Sequence, residues 1–166
     1  AVGKHTIHVG GSALAAGYGC ENCHRAVTFV LDPWHLDFDF AEELGVTDSV
    51  AEITWGGVAG EVAGWDRVTA TCVGTYCHGN FDGGDTANVA VWTTGQAPCG
   101  SCHDTGDDPA SLKGPHYLHL ETLGLSCVDC HSSVVNASKE IINPALHVNG
   151  IADTVWSNND FCDNCH

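Results

Sequence analysis

Pairs of cysteines followed directly by histidine are the residues in this chain whose types and spacing could do chemistry. In Cys127-Val-Asp-Cys130-His131 the two thiols are separated by two residues and an imidazole follows the second. Thiols at this spacing can add across the two vinyl groups of a haem, and the adjacent histidine can then reach the iron. The pattern is the attachment signal of a c-type haem.

The same short motif occurs three more times, and a variant with four residues between the thiols occurs once. The cysteines predicted to attach haem are Cys20, Cys23, Cys72, Cys77, Cys99, Cys102, Cys127, Cys130, Cys162 and Cys165. The histidines that follow them, and are predicted to bind iron, are His24, His78, His103, His131 and His166. Structural zinc or disulfides could use the same cysteines. Neither explains why histidine follows every pair, so we expect five covalently attached haem c groups.

The chain also contains an internal duplication with spacers of different length. In each copy a His-x-x-His pair precedes a short motif, and a further histidine, a tryptophan and a second motif follow. We expect a single pentahaem domain over residues 1–166. The first copy would be 1–78, an inserted haem site 79–111 and the second copy 112–166.

Six histidines lie outside the motifs, and the chain has no methionine. Methionine, the sixth ligand that raises the potential of a c-type haem, is therefore excluded, and bis-histidine iron is expected. The six candidate ligands are His5, His8, His35, His116, His119 and His147. One member of each His-x-x-His pair should serve the haem that follows it and the other an earlier haem. His35 and His147 should serve haems within their own copies.

This ligand count bears on the kind of chemistry. A haem reductase needs an iron with an open coordination position. Here six histidines are available as sixth ligands for five irons, so no iron has to stay open. We therefore expect an electron-transfer protein rather than an enzyme.

Composition predicts the fold class. With roughly 33 residues per haem, the chain cannot wrap a conventional core around each cofactor, so stacked haems should supply much of the core. We expect a multihaem cytochrome c fold that is loop-rich and low in regular secondary structure, with short helices and a few short strands. Alternating segments at 49–55, 61–73 and 88–92 predict strands. Residues 110–123 predict a helix with His116 and His119 on one face. The haem motifs themselves should each occupy a single helical turn.

Charge and hydropathy limit the partners. Five Lys and Arg against 21 Asp and Glu give a net charge of -16, which disfavours nucleic acid and anionic lipid and favours ferric over ferrous iron. Low reduction potentials should follow. No apolar run approaches the roughly 18 residues of a membrane span. Covalent haem and the lack of a leader before Ala1 predict export through the periplasm, to the cell surface or the exterior.

The motif order from Cys72 to His166 resembles that of the multihaem cytochromes with CxxxxCH and CxxCH repeats found in metal-reducing bacteria. The residues that carry the resemblance are Cys72, Cys77, His78, Gly79, Trp92, Cys99, Cys102, His103, His116, His119, Cys127, Cys130, His131 and the stretch His147-Val-Asn-Gly150. The resemblance implies extracellular electron transfer through stacked bis-histidine haems toward minerals, electrodes or partner cells. Some similar cytochromes polymerise into conducting filaments, called nanowires.

The two ends of the chain suggest a filament as well. The chain opens on a histidine pair with no haem motif before it and closes on a motif with no pair after it. We expect a head-to-tail homopolymer in which His5 or His8 contacts the Cys162 haem of a neighbour, a heterologous contact that builds open filaments. A soluble periplasmic or cell-surface shuttle is the alternative, and a haem reductase is less favoured. Other redox proteins or minerals would accept the electrons.

Overall fold

The computed structural model describes residues 3–29 and 53–155 of the chain. Four of the five predicted motifs and five of the six further histidines lie within these residues. His35 and the fifth motif, with Cys162, Cys165 and His166, lie outside them.

Regular secondary structure is short throughout the described residues. The helix α1 spans His5–Gly10 and α2 spans Cys127–His131. Single turns of 3-10 helix lie at Cys20–Asn22, Gly57–Ala59, Tyr76–His78 and Pro109–Ser111, and a π-helical turn lies at Leu118–Thr122. The predicted loop-rich fold with short helices and few strands is confirmed.

One small antiparallel sheet precedes and contains part of the longer motif. Its strands are β1, Gly64–Asp66, β2, Thr71–Val73, and β3, Ala90–Val91, in the order β1-β2-β3. The turn between β1 and β2 is closed by the Asp66 carboxylate, which accepts the Val68 amide at 2.8 Å. Such a turn is favoured by aspartate, whose side chain bonds to the backbone two residues on.

The predicted strands at 61–73 and 88–92 are therefore confirmed in their central residues. The strand predicted at 49–55 is absent from the part of this segment that the structure describes, because residues 53–55 form no strand. Its first four residues lie outside the described part.

The predicted helix at 110–123 is only partly correct. Helical structure begins at His116, directly after Gly114, which has a φ of +69°, and Pro115. Glycine permits the left-handed turn and proline fits the start of a helix but not its interior. The segment then widens into the π-helical turn, so it is shorter and less regular than the sequence pattern predicts.

The polypeptide alone has little core. Among the described residues, the buried apolar side chains are Ala59, Cys72 and Val134. Large apolar side chains remain exposed, such as Val62 at 77% and Phe29 at 64%. A chain of this size ordinarily buries well over half of the surface it exposes when unfolded. The deficit is expected if another apolar body fills the interior.

Several contacts join the predicted first copy or the predicted inserted segment to the predicted second copy. Ala16 donates its amide to the Pro144 carbonyl at 3.0 Å. The Tyr18 hydroxyl donates to the Val148 carbonyl at 3.0 Å. Lys139 forms an ion pair with Asp107 at 2.9 Å. In the described part of the chain, no helix is long and apolar enough to cross a bilayer.

Candidate haem sites

The motifs are numbered here in chain order as the first to fifth sites, beginning at Cys20, Cys72, Cys99, Cys127 and Cys162. At the first site a 3-10 turn compresses the motif, and the His24 amide donates to the Cys20 carbonyl at 2.8 Å. Both motif thiols and the histidine are thereby held on one turn of chain. This matches the prediction that the motifs occupy single helical turns.

At the fourth site the whole motif forms α2. Ser126 caps this helix, and the Asp129 carboxylate accepts its amide and its hydroxyl, each at 2.7 Å. These hydrogen bonds stabilise the charged carboxylate and lower the pKa of Asp129. The capping box fixes the start of the helix at the first thiol.

The longer loop of the second site connects a strand to a turn. Cys72 lies in β2 and is buried, whereas Cys77 and His78 lie in the turn that follows. The Asn80 side chain donates to the Gly74 carbonyl at 2.8 Å and closes the loop. Inside it, the buried Thr75 hydroxyl has no hydrogen-bond partner among the described residues. Buried hydroxyls are normally paired, so this loop fits a bound group.

The third site has no helix. Its His103 instead forms an isolated antiparallel bridge with Gly84, and the Cys102 carbonyl accepts the Asp85 amide at 2.8 Å. The prediction of a helical turn is wrong here. Backbone pairing with the preceding loop holds the motif instead.

Each of the four described motif histidines faces one histidine from outside the motifs. The ring centres are 6.1 Å apart for His5 and His24, 6.2 Å for His8 and His78, 6.1 Å for His103 and His147, and 6.4 Å for His116 and His131. The planes are nearly parallel at the first and fourth sites, at 16° and 19°. They are steeply inclined at the second and third sites, at 63° and 69°.

This spacing suits a metal between the two rings. A metal–imidazole nitrogen bond is about 2 Å long and the ring centre lies about 1 Å beyond, so rings on opposite sides of one iron have centres about 6 Å apart. Ordinary aromatic pairs cover a wider range, about 4.5–7 Å. The decisive feature is that all four pairs join a motif histidine to a non-motif histidine at nearly the same distance.

Hydrogen bonds define the tautomer of several of these rings. The Nδ1 atoms of His8, His103 and His131 lie 2.9, 2.7 and 2.8 Å from the carbonyl oxygens of Lys4, Asp104 and Asp153. A carbonyl only accepts, so Nδ1 carries the proton and donates. The Nε2 lone pair is then available to a metal, the usual arrangement for ligating histidines.

The two further rings with such a bond belong to His116 and His147. Their Nδ1 atoms donate to the carbonyls of Lys113 and Leu14. Because Leu14 belongs to the first copy and His147 to the second, the bond also orients a ring across the two copies. The donor set therefore fits haem iron.

Burial keeps the second site neutral. It raises the pKa of Cys72 and of Cys77 to about 11 in each case. It also lowers the pKa of His78, and the facing His8 lowers it further. A neutral imidazole is the form that binds a metal. In the described part, none of the eight thiols is in a disulfide and no three metal-binding side chains converge.

The ring pairs differ in part from the expected ligand pairing. His5 and His116 face the motif that follows them, and that they bind the iron there stays a prediction. His8 faces a later motif rather than an earlier one, and His147 faces the inserted third site rather than a motif of its own copy. The described residues provide no ring contact for His119. Sequence separation does not determine which histidine ring faces which motif.

Consecutive sites adjoin. Val58 joins the first and second sites, because its amide donates to the Asn22 side chain of the first motif at 2.9 Å and its carbonyl lies 3.8 Å from the Cys77 sulfur. The Asn88 side chain donates to the His78 carbonyl at 3.0 Å and contacts the Cys102 sulfur at 3.7 Å, which joins the second and third sites.

A single segment joins the third and fourth sites. The segment begins with His147, whose ring faces His103 of the third site. It ends at Asp153, whose carbonyl accepts a hydrogen bond from Nδ1 of His131 at the fourth site. Asn149 braces the segment by donating to the Asp153 carboxylate at 2.6 Å. The four described sites thus adjoin in chain order.

Sequence reasoning missed several residues at these sites. Asn88 gave no signal, and the carbonyls that orient the rings could belong to any residue type. Trp92 entered only as one of the residues that carry the family resemblance and was assigned no redox role, although its indole contacts the rings of both His5 and His8.

Comparison with known proteins supports the haem interpretation. Residues 71–103, which contain the second and third motifs, match the family model described as the Geobacter CxxxxCH...CXXCH motif. No curated protein and no solved structure matches the chain. The matched motif indicates covalently bound c-type haem, and the chain is similar to multihaem c-type cytochromes, whose motif suggests electron transfer.

Proposed function

We propose that this protein transfers electrons through five covalently attached, bis-histidine c-type haems. The observation that carries the proposal is the set of four ring pairs, each with one motif histidine and one other histidine at 6.1–6.4 Å. Two imidazoles on one iron occupy both axial positions. Such an iron exchanges electrons without binding a substrate.

The chain's own residues hold and orient the ligands. The thiols would anchor the cofactor covalently, the backbone carbonyls fix Nδ1–H, and partial burial of the second site limits the access of water to His78. Bound haem supplies iron that alternates between the ferric and ferrous states. Because the ligands stay in place in both states, little rearrangement accompanies the change.

The adjoining sites support a path in chain order from the first to the fourth. Asn88 and the segment from His147 to Asp153 are the contacts that bring neighbouring sites together. The proposed fifth site, with Cys162, Cys165 and His166, would extend this path. Its sixth ligand would be His119, which faces no motif among the described residues, or His35, which lies outside them.

The surplus histidine supports the finer proposal that the protein is a subunit of an extracellular filament. Four irons take His5, His8, His116 and His147, so His35 and His119 remain for one iron. One of them is left for a neighbouring copy. The expected role of His5 or His8 at a neighbour's fifth site is replaced by this one, because both rings face motifs of their own chain.

Carbon monoxide binding tests the proposed function. The reduced holoprotein should show reversible, low-potential reduction of all its haems and no change in its absorption spectrum under carbon monoxide. Binding of carbon monoxide to the protein as purified would reveal an open iron position and favour a haem reductase.

Electron microscopy of the native protein from the cell exterior tests the filament. Uniform filaments whose repeat contains five haems per subunit would support it. Compact monomers at all concentrations would favour the soluble shuttle.

A further inference from the structure

The indole of Trp92 lies between two histidines of α1 that face different haem sites. Its ring centre is 4.8 Å from that of His5, edge to face at 89°, and 5.1 Å from that of His8, at 29°. His5 belongs to the first site and His8 to the second. One side chain therefore contacts the non-motif ring at two sites.

The indole is held against the sheet, and α1 is tied to the loop that follows β3. Directly after β3, Trp92 donates its amide to the Ala70 carbonyl at 2.8 Å. Trp65 of β1 packs edge to face against the indole, with ring centres 6.4 Å apart. Lys4, which precedes α1, donates its ammonium to the Gly95 carbonyl at 2.7 Å. The position of the indole relative to the two rings is thus defined by several anchors.

Gly3 makes room for this arrangement. A Cβ at Gly3 would lie 1.9 Å from the Trp92 Nε1 atom, far inside contact distance. Its φ of +57° is also a conformation that L side chains rarely adopt. Any side chain at this position must displace the indole or the backbone.

We propose that Trp92 is a positioning residue that fixes the ring planes of His5 and His8, covers part of each ring against water and so sets the reduction potentials of the first and second haems. The inference rests on the proposed function, since it takes both histidines as iron ligands. Groups behind a ligand orient it and control solvent access, which tunes the metal. Water near the ligands favours the more highly charged ferric iron, so loss of the indole lowers the two potentials.

The third and fourth sites provide an internal control. Their non-motif rings, His147 and His116, have no tryptophan contact among the described residues. Substitutions at Trp92 should leave their potentials unchanged.

Two variants of the holoprotein test the role. Trp92→Phe shrinks the ring, and Gly3→Ala places a methyl group against the indole, so that the indole or the backbone before α1 must shift while every aromatic side chain is kept. In a spectroelectrochemical titration, two of the haem components should move to lower potential in both variants while the others stay in place. Electron paramagnetic resonance should show changes in the two corresponding low-spin signals. Val68→Ala, a change in the exposed turn between β1 and β2, should alter neither measurement.

The outcomes separate this inference from the proposed function. A wild-type protein without low-spin signals would refute bis-histidine ligation itself. Low-spin signals and potentials that stay unchanged in both variants, or shift equally at all haems, would overturn the role of Trp92 alone. Should Trp92→Phe fail to assemble, Gly3→Ala carries the same test.

Discussion

At the scale of the residue, the histidines differ by what orients them rather than by their type. His147 extends from the second copy toward His103, and the Leu14 carbonyl of the first copy accepts its Nδ1–H. A side chain held from two directions can serve as a ligand although its own copy contains another motif. This explains why equivalent histidines in the duplicated sequence need not serve equivalent haems.

Replacement of His147 by methionine tests this assignment. A thioether sixth ligand raises the potential of a c-type haem. We therefore expect His147→Met to raise the midpoint potential of one haem, the one at the third site, and to leave the others unchanged in a redox titration. Unchanged titration curves, or an effect on a different haem identified by its electron paramagnetic resonance signal, would contradict the ring pairing.

The chemistry of the sites was predictable at this scale, but the pairing was not. The motif Cys-x-x-Cys-His indicates attachment of a c-type haem. Because the chain has no methionine, histidine is the expected sixth ligand of the iron. The partner of His8, in contrast, depends on how α1 lies against the second motif. Backbone carbonyls orient most of the described rings, and they have no sequence signature.

At the scale of the element, α1 serves two sites with one short helix. His5 and His8 are three residues apart, so both project from nearly the same side of the helix. They reach His24 and His78, which are far apart in the sequence. The short helix α1 therefore helps to determine the distance between the first and second sites.

Alanine substitutions in α1 should act on one haem each. His5→Ala and His8→Ala each remove one sixth ligand, so each variant should contain one high-spin haem and the double variant two, measured by electron paramagnetic resonance. Ile7→Ala lies between them on the same helix, where Ile7 is 47% exposed, and should leave all haems low-spin. A single histidine substitution that produced two high-spin haems, or none, would contradict the assignment of His5 and His8 to one iron each.

The helix α2 should have a pH-dependent stability because of its capping box. Hydrogen bonds from Ser126 lower the pKa of Asp129 in the folded protein. This contribution is complete above the unfolded pKa of about 3.9 and is lost as the pH falls through the folded value. Asp129→Asn should therefore lower the Tm at pH 6, and the difference from wild type should shrink below about pH 4.

Thermal unfolding followed by circular dichroism measures this difference. Glu121→Gln is the matched control, because the Glu121 side chain makes no hydrogen bond within the described residues. A Tm difference for Asp129→Asn that did not change with pH would show that the carboxylate does not cap the helix.

The strands and turns were predictable where local pattern decides them. Alternation located β1, β2 and β3, and Asp66 favours the turn between the first two. The predicted helix at 110–123 is longer than the observed one. The prediction used the spacing of apolar residues, which does not include the effect of Gly114 and Pro115 on where a helix can begin. At the third site, pairing with Gly84 overrides the helical tendency of the motif.

At the scale of the whole molecule, two features agree with a short chain that would bind several haems. The polypeptide buries few apolar residues, and its sites adjoin in chain order. The net charge of -16 surrounds them with a negative field, which stabilises ferric iron. An electron carrier of low potential is the consistent interpretation.

Salt provides a test at this scale. Counter-ions screen the field of exposed charges, with a Debye length of about 10 Å at 0.1 M ionic strength. Raising the ionic strength should therefore raise the mean midpoint potential in a redox titration. Potentials that do not depend on salt would show that local ligation alone sets them.

The most direct test of the central claim is the electron paramagnetic resonance spectrum of the fully oxidised holoprotein. Bis-histidine ligation predicts low-spin ferric signals alone. The ring planes further predict two classes of signal, because the angle between the two imidazoles controls the splitting of the iron orbitals. The first and fourth sites, at 16° and 19°, should give rhombic signals, and the second and third, at 63° and 69°, strongly anisotropic ones. A high-spin ferric signal equivalent to one or more haems at the described sites would contradict the account.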